Sequence, residues 1–220
     1  MSDTRSEAAA GAPMAARSAD EEAAAGCSAA TQNATSERSV AGQNASMRVA
    51  VVQTPSTRAD VETAVFDAVS SVCDPEYPDV TIAELGILES VSTADDGSVV
   101  RIELVPTMLG CPALDVIRRD VAAAAQSACV GVEARIEVVF VADPVWTPDR
   151  IAPSAVDFMA REYSVAVRSA LTDATCPICG NAALEHRSDF GPTPCRSVEW
   201  CPSCRNPIEV VGRVDIAVSA

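Results

Sequence analysis

The sequence predicts an α+β fold: a compact α-β-β-α-β domain, a connector, and a small metal-stapled ribbon. Three observations carry that expectation. Between residues 56 and 145, apolar residues recur at helical spacing in two segments and alternate with polar ones in others. Of the nine cysteines, five crowd between Cys176 and Cys204, four of them in CxxC pairs. Residues 1 to about 55 are Ala, Ser, Gly, Gln, Asn and Thr with almost no bulky apolar residue before Met47. Such a composition cannot bury enough surface to offset its ordering entropy, so residues 1–55 are expected as a disordered tail.

The elements follow in order. Ser56 and Thr57 can cap a helix whose apolar positions Val61, Val65, Ala68 and Val72 share a face. The turn Asp74-Pro75-Glu76-Tyr77-Pro78 ends it, because two prolines cannot continue a helix. Ile82 to Val91 reads as a strand region interrupted at Gly86, and Asp95-Asp96-Gly97 reads as a turn. Val100, Ile102 and Leu104 alternate with Arg101 and Glu103 as a half-buried strand. Residues 112–128 place Leu114, Ile117, Val121 and Ala124 on one helical stripe, and Val132 to Phe140 alternate as a third strand. The strand–helix–strand unit should cross over with its two strands parallel and right-handed. A Pro-rich connector with Trp146 spans 146–174, including a short helix opened by Ser154, and the ribbon covers 175–213.

Charge narrows the function. With 31 carboxylates against 16 basic residues, all arginine, the formal charge is -15 and the pI about 4.3. Phosphate backbones are repelled by such a chain, which argues against a nucleic-acid binder. No stretch approaches the ~20 apolar residues of a membrane helix, and no signal peptide is read, so a cytoplasmic protein is expected. In that compartment clustered cysteine pairs point to metal, not disulfides.

Cys176-Pro177-Ile178-Cys179-Gly180 is answered by Cys201-Pro202-Ser203-Cys204-Arg205. Four thiolates from two knuckles can converge on a tetrahedral ion, which is the requirement of structural zinc. A Cys-ligated iron–sulfur cluster is the rival occupant. Cys195 is a spare fifth ligand for this group, and His186 is expected as a solvated residue on a ribbon strand.

A second candidate site is Pro106-Thr107-Met108-Leu109-Gly110-Cys111-Pro112-Ala113, between a strand and a helix. Pro112 suits the first helical position, which would make Cys111 the N-cap. There the open amides and helix dipole favour a reactive thiolate, against the plainer alternative of a packed cysteine. Asp74 and Glu76, flanking Pro75, could bind a cation or work as acid and base, or could simply form a solvated turn.

These residues resemble a known family. DPEYPDVTIAELGI is similar to the signature of the SufT-like iron–sulfur assembly domain, and PTMLGCPALDVIRRDV to its Thr-x-x-x-Cys-Pro segment. The connector PVWTPDRIAPSAVDFMAREY, then CPICG, FGPTPCRS and CPSC, resemble the PaaD branch, encoded with a multicomponent phenylacetyl-CoA ring-epoxidase. The resemblance runs from about residue 58 to 209; the long N-terminal tail, Arg196 where the branch often has lysine, and Asn206-Pro207-Ile208-Glu209-Val210 in place of an aromatic run depart from it. It implies that Cys111 is a reactive cysteine in iron–sulfur delivery, holding iron or a cluster transiently. It also implies that Asp74, Glu76 and Glu84 are motif acids, that Cys176, Cys179, Cys201 and Cys204 are the zinc ligands, and that Cys195 is a further cysteine of the branch. The implied role is an accessory protein, not a stand-alone enzyme, with the oxygenase subunits and above all the iron–sulfur reductase as partners. A structural scaffold subunit without cluster chemistry is the alternative, and self-association is left open.

Overall fold

A computed structural model describes residues 57–212; the expected disordered tail, Cys27 and the end of the chain lie outside the described residues. The first helix, α1 (Arg58–Ser70), starts at a reciprocal cap. Thr57 Oγ1 accepts from the Asp60 amide at 3.2 Å, and Asp60 Oδ2 accepts from the Thr57 amide at 2.9 Å. Val61, Val65 and Val69 are its buried face; the expected Ala68 is half-buried, and Val72 packs on the same core just past the helix end.

The chain then forms β1 (Leu88–Thr93), β2 (Val99–Leu104), α2 (Ala113–Ala128) and β3 (Arg135–Phe140). The sheet order is β1-β2-β3, antiparallel between the first pair and parallel between β2 and β3, as a crossover through α2 requires. Central β2 buries Val100, Ile102 and Leu104 completely. The two helices pack on each other and on this sheet, with Ile117, Val121 and Ala125 as the inner face of α2.

Two expected strands are shorter than their apolar runs. Residues 82–86 are turns, not strand, because Glu84 binds back to Thr81 and Gly86 adopts φ +67°. The third strand starts at Arg135: the Val132 amide is taken by Cys129 O at 3.0 Å and the Ala134 amide by Val132 O at 3.1 Å, which bends the chain away from the ladder.

After β3 a short 3-10 turn (Pro148–Arg150) leads into α3 (Pro153–Glu162), with proline at its first turn. The ribbon sheet follows, built from β4 (Val165–Val167), β5 (Glu185–Ser188), β6 (Arg196–Trp200) and β7 (Pro207–Val211), in the order β4-β7-β6-β5. Strand β4 pairs parallel to β7 although it belongs to the stretch expected as polar linker. Ala155 and Met159 of α3, Val165 of β4 and Val211 of β7 join the same apolar core as α1, α2 and β2. A second, smaller core of Ala166, Ala174, Cys176, Cys201, Ile208 and Val210 lies under the knuckles. Among the described residues no helix is long and apolar enough to cross a membrane.

Candidate metal centre and inter-unit site

The two knuckles repeat one local design. In each, a Cys-Pro-x-Cys-x-Asn segment folds so that the fifth residue's amide binds the first cysteine's carbonyl: Gly180 N to Cys176 O and Arg205 N to Cys201 O, both 2.8 Å. The first cysteine's amide then reaches the asparagine carbonyl, Cys176 to Asn181 at 2.8 Å and Cys201 to Asn206 at 3.0 Å. Both fifth positions are left-handed, φ +75° at Gly180 and φ +60° at Arg205. Glycine takes that conformation freely, whereas Arg205 holds it under strain.

This geometry brings the sulfurs of Cys176, Cys179, Cys201 and Cys204 within 4.8 Å of one another. Cys176 and Cys204 stand 3.6 Å apart, as do Cys179 and Cys201. A tetrahedral ion with bonds of about 2.3 Å places its sulfurs roughly 3.8 Å apart, so the four residues fit one zinc. Multi-iron clusters need wider separations than this cage allows. The backbone amide of Cys204, donating to Cys201 sulfur, holds that thiol well below the ordinary range, and Asn181 Nδ2 adds a contact at 3.7 Å. Zinc would supply only structural cross-linking here, since all four positions are filled by protein.

Cys195 does not join this group. It lies in the turn before β6, its sulfur 3.3 Å from Thr193 Oγ1 and 3.7 Å from Glu76 Oε2. His186 sits exposed on β5 beside Asp189, 3.2 Å away, as a solvated strand residue would.

The acids of the first unit divide their work. Asp74 is buried, and its Oδ1 accepts from the amides of Glu76 at 2.8 Å and Tyr77 at 3.1 Å, fixing the turn. Burial pushes its carboxyl above the usual range, although those two amides pull the other way. Glu76 points across to the ribbon, where Arg196 Nη2 donates to its Oε2 at 3.2 Å. Arg196 is also bound to Glu209 at 2.6 Å and lies 4.8 Å over the Tyr77 ring. Glu84 is structural: its Oε2 accepts from both the amide and the hydroxyl of Thr81, each at 2.9 Å.

Cys111 is half-buried, and its place is one residue earlier than expected. Helix α2 begins at Ala113 with Pro112 (φ -60°, ψ -25°) as its cap residue, and Cys111 precedes the cap. Pro112 is already helical in backbone angles, and the Cys111 carbonyl is taken by the Leu114 amide at 3.1 Å in a tighter turn. Gly110 before it is left-handed at φ +88° and Leu109 is exposed, so the loop stands open to solvent. Burial pushes the Cys195 thiol upward, Thr193 opposes this, and the charges of Glu76 and the nearby Cys111 add to the rise.

Two features escaped the sequence. Arg168 and Glu199 form a two-pronged ion pair, 2.5 and 2.9 Å, with Glu199 almost fully buried, tying the end of β4 to β6. The meeting of Glu76 with Cys195 and Arg196 spans about 120 residues of chain, and no local pattern announces it. The knuckle asparagines were findable, since the repeat of six residues is plain when the two CxxC segments are aligned.

Two family models match the two units. Residues 62–138 match the iron-sulfur cluster assembly protein family, and residues 160–212 match the PaaD zinc beta ribbon domain. A protein of Escherichia coli (strain K12) described as a 1,2-phenylacetyl-CoA epoxidase subunit is 30% identical over 152 residues, covering 66% of this chain and 88% of its own. Among solved structures, a domain of unknown function, DUF59, from Bacillus anthracis is 27% identical with a TM-score of 0.39, over 44% of this chain and 90% of its own. A conserved hypothetical protein from Thermotoga maritima is 25% identical with a TM-score of 0.38, over 49% of this chain and 98% of its own. An iron–sulfur assembly domain joined to a four-cysteine zinc ribbon, with that epoxidase relative matched over most of its length, places the chain in the PaaD family of phenylacetyl-CoA epoxidase proteins.

Proposed function

We propose that this protein is a cytoplasmic accessory factor of a multicomponent phenylacetyl-CoA ring-epoxidase, maturing or delivering the iron–sulfur cluster of its reductase through Cys111. The observation that carries the reading is the open loop of Thr107–Cys111, which leads β2 of the assembly-type domain into α2, carries a half-buried thiol, and shares a cleft with Pro194 and Cys195 of the ribbon through Thr107 and Met108. A single accessible thiolate is a soft ligand that can take iron and give it up again, whereas a closed four-thiolate cage retains its ion. In this scheme Cys111 binds the iron cargo, the zinc ribbon is a rigid docking surface, and the acidic chain is steered toward a basic partner face. No turnover chemistry is assigned to the protein itself.

The test couples genetics to metal analysis. The reductase subunit is co-expressed with wild-type protein or with Cys111→Ser, and its iron and acid-labile sulfide are measured. A several-fold loss of cluster with the variant is expected; full occupancy would remove the carrier role. The alternative of a scaffold is favoured by the Escherichia coli relative being named as part of the epoxidase. A scaffold would co-purify with the oxygenase in fixed ratio, and Cys111→Ser would leave cluster content unchanged.

A further inference from the structure

The contact between Glu76 and Cys195 joins a carboxylate of the assembly unit to a thiol of the ribbon, with Oε2 and Sγ 3.7 Å apart. That separation lets a single ion bridge the two groups. Beside them a small cavity of about 40 Å³ is lined by Asp74, Glu76, Tyr77, Thr107, Cys195 and Arg196 among others. Such a volume accepts an ion or a water molecule. The Tyr77 side chain on its wall is 5% exposed, and its hydroxyl has no hydrogen-bond partner among the described residues. A buried hydroxyl left this way asks for an occupant that can bind it. Thr107, in the same wall, starts the loop that carries Cys111.

We propose that Cys195 and Glu76 form an inter-unit binding site for ferrous iron, under the start of the loop that carries Cys111, so that the ribbon supplies half of the cargo site. A thiolate with a carboxylate is a donor pair suited to ferrous iron, and Cys111, on the loop that Thr107 opens, is the thiol to which the ion passes by ligand exchange. Binding releases the Cys195 proton to solvent; passing the ion breaks its bond to the Cys195 sulfur as one forms to the Cys111 sulfur, Cys195 takes up a proton as Cys111 loses one, and no electron moves. Arg196 stays paired with Glu209; its Nη2 shares the same Glu76 Oε2 at 3.2 Å, so the ion and the guanidinium divide that carboxylate, and the Arg196 charge offsets the negative charge gathered by the ligands. The ribbon's zinc cage is separate and keeps its own four thiolates. The choice of iron as the ion rests on the carrier reading of Cys111; the location of the site does not.

The experiment uses the full-length zinc-loaded protein without oxygen. Ferrous ammonium sulfate is titrated in, and bound iron is read by equilibrium dialysis and by the thiolate-to-iron charge-transfer absorption. Wild type should bind one iron per chain, and Cys195→Ser and Glu76→Gln should each weaken binding at least tenfold with zinc content unchanged. Should Cys195→Ser lose zinc as well, Glu76→Gln decides, because glutamine keeps an acceptor for Arg196. Wild-type iron affinity in Glu76→Gln, or in a zinc-replete Cys195→Ser, overturns the proposal. If those variants bind normally while Cys111→Ser does not, the inter-unit site is wrong and the carrier reading stands. If Cys195→Ser loses iron and Cys111→Ser retains it and still supports reductase clusters, the site stands without the carrier. An absence of iron binding by wild type removes the inter-unit site.

Discussion

Asp74 carries its charge against its surroundings. Its carboxylate is desolvated in the turn, and two backbone amides only partly offset that burial. For an acid whose folded-state value is raised, the ionised form weakens the folded state above that value. The penalty fades as the pH falls through it toward 3.8, the ordinary value of the free side chain. Asp74→Asn keeps an oxygen for both amides and removes the charge. Its melting temperature at neutral pH should therefore equal or exceed that of wild type, and the difference should shrink as the buffer is taken toward pH 4. Asp74→Ala loses both acceptor bonds and should cost about 1–2 kcal/mol in chemical denaturation. Destabilisation of Asn and Ala to the same degree at neutral pH would mean that the negative charge itself holds the turn. The sequence marks Asp74 and Glu76 as a pair because both flank Pro75. It cannot separate their tasks, since only the fold decides that one oxygen faces its own backbone and another faces Arg196.

At the level of elements, legibility tracked how local the forces are. The cap of α1 is encoded within four residues, and the alternation of β2 within six, so both are read correctly from the sequence. The knuckles are equally local, each closed by hydrogen bonds inside six residues. By contrast, β4 is three residues whose strand character exists only because β7 lies alongside, and the apolar run before β1 is diverted by Glu84 and Gly86. The ribbon's dependence on metal follows from its small inner core. A structural zinc site is worth on the order of 10 kcal/mol at neutral pH, more than that core supplies. Cys176→Ala should lower zinc from one per chain toward none by mass-spectrometric metal analysis. Amides of β5 to β7 should then exchange rapidly with deuterium while those of α1, α2 and β2 stay protected. Retention of both zinc and ribbon protection in the variant would mean that the four thiols do not form the staple.

For the molecule as a whole, the decisive feature is that the connector is part of the first unit's wall. Trp146 Nε1 donates to Leu85 O at 2.9 Å, Arg150 Nε to Gly86 O at 2.8 Å, and the Ala152 amide to Glu84 O at 2.8 Å. Three successive carbonyls of the Glu-Leu-Gly segment are thus read by one passing strap, and α3 then inserts Met159 into the shared core. Through that strap and α3 the chain passes from the first unit into the ribbon, whose Cys195 meets Glu76. Gly86 is the pivot. It adopts φ +67°, and a Cβ placed there would collide with the Cβ and carbonyl of Arg150. Gly86→Ala therefore meets a left-handed penalty of about 1–2 kcal/mol and must also push the strap outward. We expect a total loss of roughly 2–4 kcal/mol, read as a midpoint shift in urea followed by tryptophan fluorescence. Because the strap moves, the Glu76–Arg196 contact should loosen too, and Cys195 should label faster with a thiol reagent in the folded variant than in wild type. The zinc cage, held by local bonds, should keep its metal. A variant as stable as wild type, with Cys195 no faster to react, would show that the two units meet without help from the strap.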